Sequence, residues 1–425
     1  MFKKVIEKED KKEGDLLLIN NPSFRSIWLS SATSELGGAL FTACNSILIY
    51  ELTGSPTALG LVWLIYYIPS FFMQLFIGPY IDRWSRKWIM ISCQLIRMLL
   101  ASVLVLFLFQ DNFTITFIYI VQIIVGIVMP IFTPANQAIL PTIIEKEKLS
   151  QANASLESVR QVMAVMGPLL SGVLVDVLEI EWILVIISIA FALSAVTLLK
   201  INENYIKMAV RKPWIVEFKE GLQSYFKHKL IVWLGIFFGF VQFGVGVTIV
   251  TTLPYITTIL NQPYSAYGLF MSAFPIGYTI GALLNSKLLK IKGIGILFTA
   301  LFIGGCTYIS LGITPWYFIA VLTECMAGMA IAIFNIYNIT LIQSSIPNHL
   351  MGKVTSVRLL IMRTMLPLGI LFATVTVQFL SIRTLYFVIG SVICITSLVG
   401  YLYLNKQVKV GKKLGEVERE GQFGN

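Results

Sequence analysis

Long runs of apolar positions, broken only by short polar loops, dominate this chain. A helix that crosses a bilayer needs about 20 mostly apolar residues, because the hydrocarbon core is roughly 30 Å thick. Twelve stretches meet that length: Ser26–Tyr50, Ala58–Tyr80, Trp88–Phe109, Phe113–Leu140, Ser158–Val177, Trp182–Leu199, Leu230–Ile259, Tyr267–Leu289, Ile294–Ile313, Tyr317–Ile342, Thr355–Leu380 and Leu385–Leu404. They are too long and too uniformly apolar for membrane β-strands, which alternate between two faces. The pattern predicts an all-α membrane protein of twelve transmembrane helices. The opening, Met1–Asn21, is charged and lacks the short apolar core of a signal peptide, so the first span is expected to insert and stay.

The longest polar interruption, Ile201–Lys229, follows the sixth span. It divides the chain into a 1–25 arm, a 26–200 bundle, a 201–229 linker, a 230–405 bundle and a 406–425 tail. Within the linker, Trp214, Ile215, Phe218, Leu222, Tyr225 and Phe226 recur at helical spacing, with Glu217, Lys219, Glu220 and Lys227 between them. That pattern predicts an amphipathic helix on the membrane surface, tethering the two bundles.

The two bundles echo one another. Ile131-Phe132 at the fourth span matches Ile333-Phe334 at the tenth, and Ser158-Val159-Arg160 at the fifth matches Ser356-Val357-Arg358 at the eleventh. Each pair occupies the same place in its half. A parallel six-plus-six duplication follows, and such repeats hold a substrate between them near the midplane.

Charge then orients the chain. Only 13% of residues are charged, against a usual share of about 25%, and mean hydropathy is +0.80. Net charge is +10, which alone would suggest nucleic acid. Its placement argues otherwise. Of 32 Lys and Arg, 27 fall in the arm, the tail and the loops on one side, counting Lys287 at that end of its span, four fall deeper within spans, and one, Arg383, falls in a loop on the other side. This is the positive-inside pattern, and it predicts both termini in the cytoplasm. The five cysteines all lie within spans, with no metal-ligand or disulfide spacing.

Between the second and third spans the chain reads GPYIDRWSRK, Gly78–Lys87. Gly78, Asp82, Arg83, Arg86 and Lys87 resemble the signature loop of the major facilitator superfamily: Gly, three residues, Asp-Arg, two residues, Arg-Lys. The span count and the duplication agree. The resemblance implies the major facilitator fold over Ser26–Leu404, with a conformational latch at this loop. Asp82 would face the positive N-terminal end of span 11. Arg83, Arg86 and Lys87 would pair with acids or lipid phosphates, with Glu145 and Glu147 as candidate partners. SELGGAL (Ser34–Leu40), YELTGSPTALG (Tyr50–Gly60), FTPANQAILPTII (Phe132–Ile144), EFKEGLQSYFKH (Glu217–His228) and IPNHLMGKVTS (Ile346–Ser356) are similar to macrolide-efflux-type permeases, in the twelve-span drug:proton antiporter branch. Gly167-Pro168 resembles the antiporter motif of span 5, although Ser171 stands where glycine is usual.

A charge at the bilayer centre costs about 2.5–3.5 kcal/mol on insertion scales, so intramembrane ions need partners or water. Glu35, Arg97, Glu324 and Arg363 lie well inside spans, whereas Arg160 and Arg358 sit near span ends and are expected to snorkel or brace the repeat. Glu35 lies roughly 14 Å into span 1, with Ser31, Thr42 and Ser46 on its face. It is either a proton or cation carrier or the acid of a buried ion pair, with Arg97 as a candidate partner. Glu324 shares a face of span 10 with Asn335 and Asn338. It is either the coupling carboxylate, since an acid kept from water can exchange a proton near neutral pH, or a helix-packing hydrogen-bonder. The family's cavity is lined by spans 1, 4, 7 and 10. The resemblance therefore adds Gln122, Asn136, Gln137 and Gln242 as polar lining and Phe132, Phe243, Met326 and Phe334 as adaptable apolar lining.

No G-x-x-x-x-G-K-[ST] loop, catalytic constellation or cofactor motif is present, so the chain is read as a transporter with no enzymatic activity and no cofactor. The expectation is a proton-coupled exporter of an amphipathic drug-like or natural-product substrate, monomeric, in a bacterial inner membrane. Its partners would be lipids, protons and a small molecule, with no nucleic acid. A proton-coupled importer on the same fold and a non-transporting membrane sensor are the alternatives.

Overall fold

The computed structural model describes residues 18, 20–77, 84–110, 114–203, 219, 222–223, 225–227, 229–288, 295–345 and 348–422. These residues form twelve long helices and, among the described residues, no strand. The helices are α1 Pro22–Thr53, α2 Pro56–Phe76, α3 Arg86–Phe109, α4 Ile115–Ile143, α5 Leu149–Val177, α6 Ile180–Leu199, α7 Lys229–Pro254, α8 Tyr264–Leu288, α9 Gly295–Ile313, α10 Tyr317–Ser345, α11 Asn348–Thr376 and α12 Ile382–Gln422. All twelve are long and apolar enough to cross a membrane. The protein is thus an all-α membrane protein of twelve transmembrane helices.

Local chemistry fixes the helix ends. Asn21 caps α1 by accepting from the Ser23 and Phe24 amides, with Pro22 in the first turn. Gly54 ends α1 in the left-handed region (φ 60°), a conformation glycine adopts without a Cβ penalty. Ser55 then caps α2, with Pro56 following. The sequence Gly-Ser-Pro therefore reverses the chain in two residues. Ser85 caps α3.

Contacts divide the chain into two units. The first comprises Met1–Arg211 together with Thr252–Ser272, and the second comprises Lys212–Thr251 together with Ala273–Asn425. In the first unit, α1 and α6 are joined by Ser30 and Ser194, whose hydroxyls lie 2.7 Å apart, and by an edge-on contact of Phe41 with Phe191. Gly167 of α5 lies against Ala39 of α1, where any larger side chain would collide. In a bilayer, where lipid is as apolar as leucine, such close backbone approach is a main source of helix association. The Thr252–Ser272 segment joins this unit through polar contacts among others. Thr258 Oγ1 lies 2.7 Å from Tyr50 Oη, the Ser265 amide donates to Asp176 (2.9 Å), and Ser272 donates to the Val165 carbonyl (2.7 Å).

In the second unit, Ser397 of α12 donates to the Phe298 carbonyl of α9 (2.7 Å), and Thr251 of α7 donates to Tyr386 Oη of α12 (3.1 Å). The GYTIG pattern of α8 packs on α10, with Gly277 against the Cys325 carbonyl. The linker is described in part. Its described residues from 219 on are helical, and Leu222 and Tyr225 pack with Ile231, Ile342, Val354 and Val357. Burial raises the pKa of the Tyr225 hydroxyl. Trp214, Ile215, Glu217, Phe218 and Glu220 lie outside the described residues.

Gly78, Asp82 and Arg83 of the signature loop also lie outside the described residues. The expected partners of its other two cations are corrected. Glu145 pairs with Lys148 (2.8 Å), whose hydrogen bond holds the Glu145 carboxyl below the usual carboxylate range. Arg86 pairs instead with Glu203 (3.8 Å), just beyond α6. Glu203 also accepts from Ser85 Oγ (2.5 Å) and from the Arg86 (3.0 Å) and Lys87 (3.1 Å) amides. In return, Lys87 Nζ donates to the Leu199 and Ile201 carbonyls, each at 2.8 Å. The start of α3 and the end of α6 thus cap each other, an acid on the helix N-terminus and a cation on the C-terminus.

Candidate functional site

The first unit contains a cavity of about 370 Å³ between α1, α2, α4 and α5, with Tyr267 and Met271 of α8 on its wall. Small residues open it: Gly38, Ala39 and Ala43 on α1 face Ala164 and Pro168 on α5. One wall is aromatic. Trp63, Tyr66 and Tyr67 sit at i, i+3 and i+4 on α2, with ring centroids 4.9–6.0 Å apart, and Tyr66 meets Tyr67 nearly edge-on at 83°. Phe132, Met129 and Met163 also line it, side chains that suit an apolar ligand without fixing its shape.

Three charged groups enter this largely apolar space. Glu35 of α1 lines it with a side chain 42% exposed. Arg97 of α3 reaches it while remaining 3% exposed. Its guanidinium donates to Ser34 Oγ (3.0 Å) and Gln94 Oε1 (3.3 Å) and stacks over Phe191 at 3.9 Å. Gln94 in turn donates to Ser34 (2.7 Å). The direct contacts of Arg97 are therefore a hydrogen-bond set and a ring, and its influence on Glu35 is through-space. The ion pair of Glu35 is made by Arg160 of α5, at 3.8 Å. Arg160, read from sequence as a snorkelling or bracing residue, turns into the cavity.

Of the residues singled out in the sequence, the structure brings Glu35, Thr42, Gln122 and Phe132 to this one wall, together with Arg97. Ser46 is buried and donates to the Thr42 carbonyl (3.0 Å), away from the cavity. Asn136 donates to Ser31 (3.3 Å) and, with Gln137, lines a second pocket. In the second unit, Asn335 of α10 donates to Tyr278 of α8 (3.2 Å), and Asn338 is fully buried. Glu324, also on α10, is half-buried and interacts with the Tyr308 hydroxyl of α9. Gln242 is half-buried on α7, and Arg363 is exposed on α11. Phe334 stacks on Phe238 with ring centroids 5.6 Å apart, Phe243 meets Phe372, and Met326 is exposed.

Sequence reading missed Trp63, Tyr66, Tyr67 and Arg160 as cavity residues. The signal for the first three was the aromatic cluster WLIYY, which places three rings on one side of the span. For Arg160 it was Glu157 three residues earlier, an acid that a merely snorkelling arginine would not need.

Comparison with known proteins agrees with this architecture. Residues 27–366 match the model of the Major Facilitator Superfamily. Macrolide efflux protein A of Streptococcus pyogenes is 23% identical over 387 residues, 88% of this chain and 94% of that protein. The uncharacterized MFS-type transporter YkuC of Bacillus subtilis is 26% identical over 414 residues, 92% of this chain and 94% of that one. Among solved structures, a bacterial homologue of the iron transporter ferroportin, in its inward-facing state, aligns with a TM-score of 0.71 at 15% identity, covering 90% of this chain and 98% of that one. Twelve spans, an internal duplication and a family match across most of the chain make this protein a member of the Major Facilitator Superfamily, a transporter and not an enzyme.

Proposed function

We propose that this transporter is a secondary active exporter of amphipathic small molecules, driven by proton exchange at an intramembrane carboxylate. The observation that carries the reading is the first-unit cavity, an aromatic and methionine-walled space of about 370 Å³ with the Glu35 carboxylate exposed within it. Apolar walls with few polar groups suit substrates recognised by shape and partition more than by a hydrogen-bond code. Relatives named for macrolide efflux that span nearly the whole chain support the export direction. The one-sided distribution of Lys and Arg supports cytoplasmic termini in a bacterial cell membrane. Each proton moved inward releases about 2.3 kcal/mol per 100 mV, enough to bias the empty carrier's return. Glu35 is the leading coupling acid on this geometry. Glu324, beside Tyr308, is the second candidate, and the transporter acts as a monomer.

The test is ΔpH-driven accumulation of a labelled macrolide, and of a panel of other amphipathic drugs, in everted membrane vesicles. Accumulation that collapses with a protonophore is expected for at least one compound. Uptake seen only in right-side-out cells would overturn export in favour of import.

A further inference from the structure

Two cavities of the first unit share one side chain. Arg160 walls the cavity that holds Glu35, and it also walls a polar pocket of about 320 Å³ lined by Asn136, Gln137, Asn153 and Glu157. It makes an ion pair on each side: Nη1 lies 2.7 Å from Glu157 Oε2, and Nε lies 3.8 Å from Glu35 Oε1. None of the three side chains is locked by burial, since Arg160 is 40% exposed, Glu35 42% and Glu157 51%. Gln161 Nε2 also donates to Glu157 Oε1 (3.2 Å). Asn136 Oδ1, buried in the pocket wall, has no hydrogen-bond partner among the described residues.

The internal repeat shows that packing alone does not demand this arrangement. Arg160 corresponds to Arg358 in the second half, but the position of Glu157 is taken there by Thr355. Arg358 is buried near Tyr225. The arginine recurs, and its acidic neighbour belongs to the first half.

A carboxylate within a membrane span is costly without a counter-charge or water beside it. An acid that repeatedly takes up and releases a proton therefore needs a cation able to leave and return. We propose that Arg160 is a toggling counter-cation, which neutralises Glu35 while that carboxylate is empty and moves wholly onto Glu157 when Glu35 takes a proton through the polar pocket. The guanidinium stays protonated throughout. The proton ends on Glu35, and the charge of the triad goes from −1 to zero. The other titratable groups at the cavity are Arg97 on α3, Tyr66 and Tyr67 on α2 and Tyr267 on α8, while α4 contributes only neutral side chains. The inference rests on Glu35 being the exchanging acid of the proposed function. Glu157 and Arg160 are positioning residues acting through it.

The test uses the full chain in lipid nanodiscs, with the proton as the only probe, followed by the infrared carboxyl stretch over a pH titration. One titrating band present in the wild type is expected to vanish in Glu35→Gln. Glu157→Gln and Arg160→Gln are expected to move its midpoint in opposite directions, each by about tenfold in proton affinity, or about one pH unit. Glu157→Asp should return it towards the wild-type position. A purely structural role would lower thermal stability without opposed midpoint shifts. Unchanged midpoints in both variants, with the band still lost in Glu35→Gln, would overturn the toggle and leave Glu35 as the exchanging acid. A band that survives in Glu35→Gln would overturn that assignment, and the toggle with it.

Discussion

Glu203 offers the sharpest test of how the first unit is held together. Its carboxylate accepts from Ser85 Oγ and from the Arg86 and Lys87 amides, and it pairs with the Arg86 guanidinium, with a side chain only 4% exposed. Replacing it by alanine strips acceptors from the first turn of α3. A hydrogen bond to a charged group contributes about 1.5–3 kcal/mol, and a helix N-cap about 1 kcal/mol. These contributions overlap, and Ser85 Oγ still accepts from the Trp88 amide at 3.4 Å, so Glu203→Ala should cost about 2–3 kcal/mol in total. At roughly 2–4 °C per kcal/mol for a unit of this size, the melting temperature should fall by roughly 4–12 °C. Glu203→Gln keeps an acceptor without the charge and should lose about half as much. Heating in detergent with a thiol-reactive fluorophore reads this directly, because the first unit's Cys44 and Cys93 are buried and become reactive on unfolding. An alanine variant that melts within about 1 °C of the wild type would refute the cross-capping argument.

Other substitutions probe the cavity and its supports. Arg97→Ala deletes hydrogen bonds to Ser34 and Gln94 and the stack over Phe191, so the same thiol assay should show a loss of about 3 kcal/mol. Gly167→Leu cannot be seated against Ala39, and the amount of monodisperse protein recovered in detergent should fall sharply, with Gly167→Ala between it and the wild type. Trp63→Ala removes a face of the aromatic wall. It should raise the apparent KM for an exported compound roughly 5- to 30-fold in everted vesicles, with little change in melting temperature.

The fold was legible because a bilayer imposes length and apolarity on every span, and each of the twelve predicted stretches lies within or largely overlaps one observed helix. The ends were less legible. Helix α5 starts at Leu149, not Ser158, and α12 runs on to Gln422, because polar residues outside the hydrocarbon can continue a helix without an apolar signal. Glu35 and Thr42 could be placed by helical spacing on the polar stripe of span 1, and Gln122 by the family resemblance. Arg160 could not. Its depth along α5 suggested a route to water, whereas in the fold Gly167 of that helix seats against Ala39 of α1 and the guanidinium lies 3.8 Å from Glu35. Glu203 was equally hidden. Its partners lie more than a hundred residues earlier, and a single acid beyond a span gives no local hint of which helix start it will cap. The linker's apolar spacing marks positions that need cover, and periodicity alone does not say what covers them; Leu222 and Tyr225 pack with Ile231, Ile342, Val354 and Val357.

The central claim is that a carboxylate exposed in the first-unit cavity couples proton flow to export. The most direct measurement is proton release from everted vesicles, energised with an outwardly or inwardly imposed pH gradient, on addition of a compound the wild type exports, compared with Glu35→Gln present at equal level. The account predicts substrate-induced proton flux in the wild type and at least a tenfold loss in the variant, with drug binding retained. Equal flux from both would contradict it.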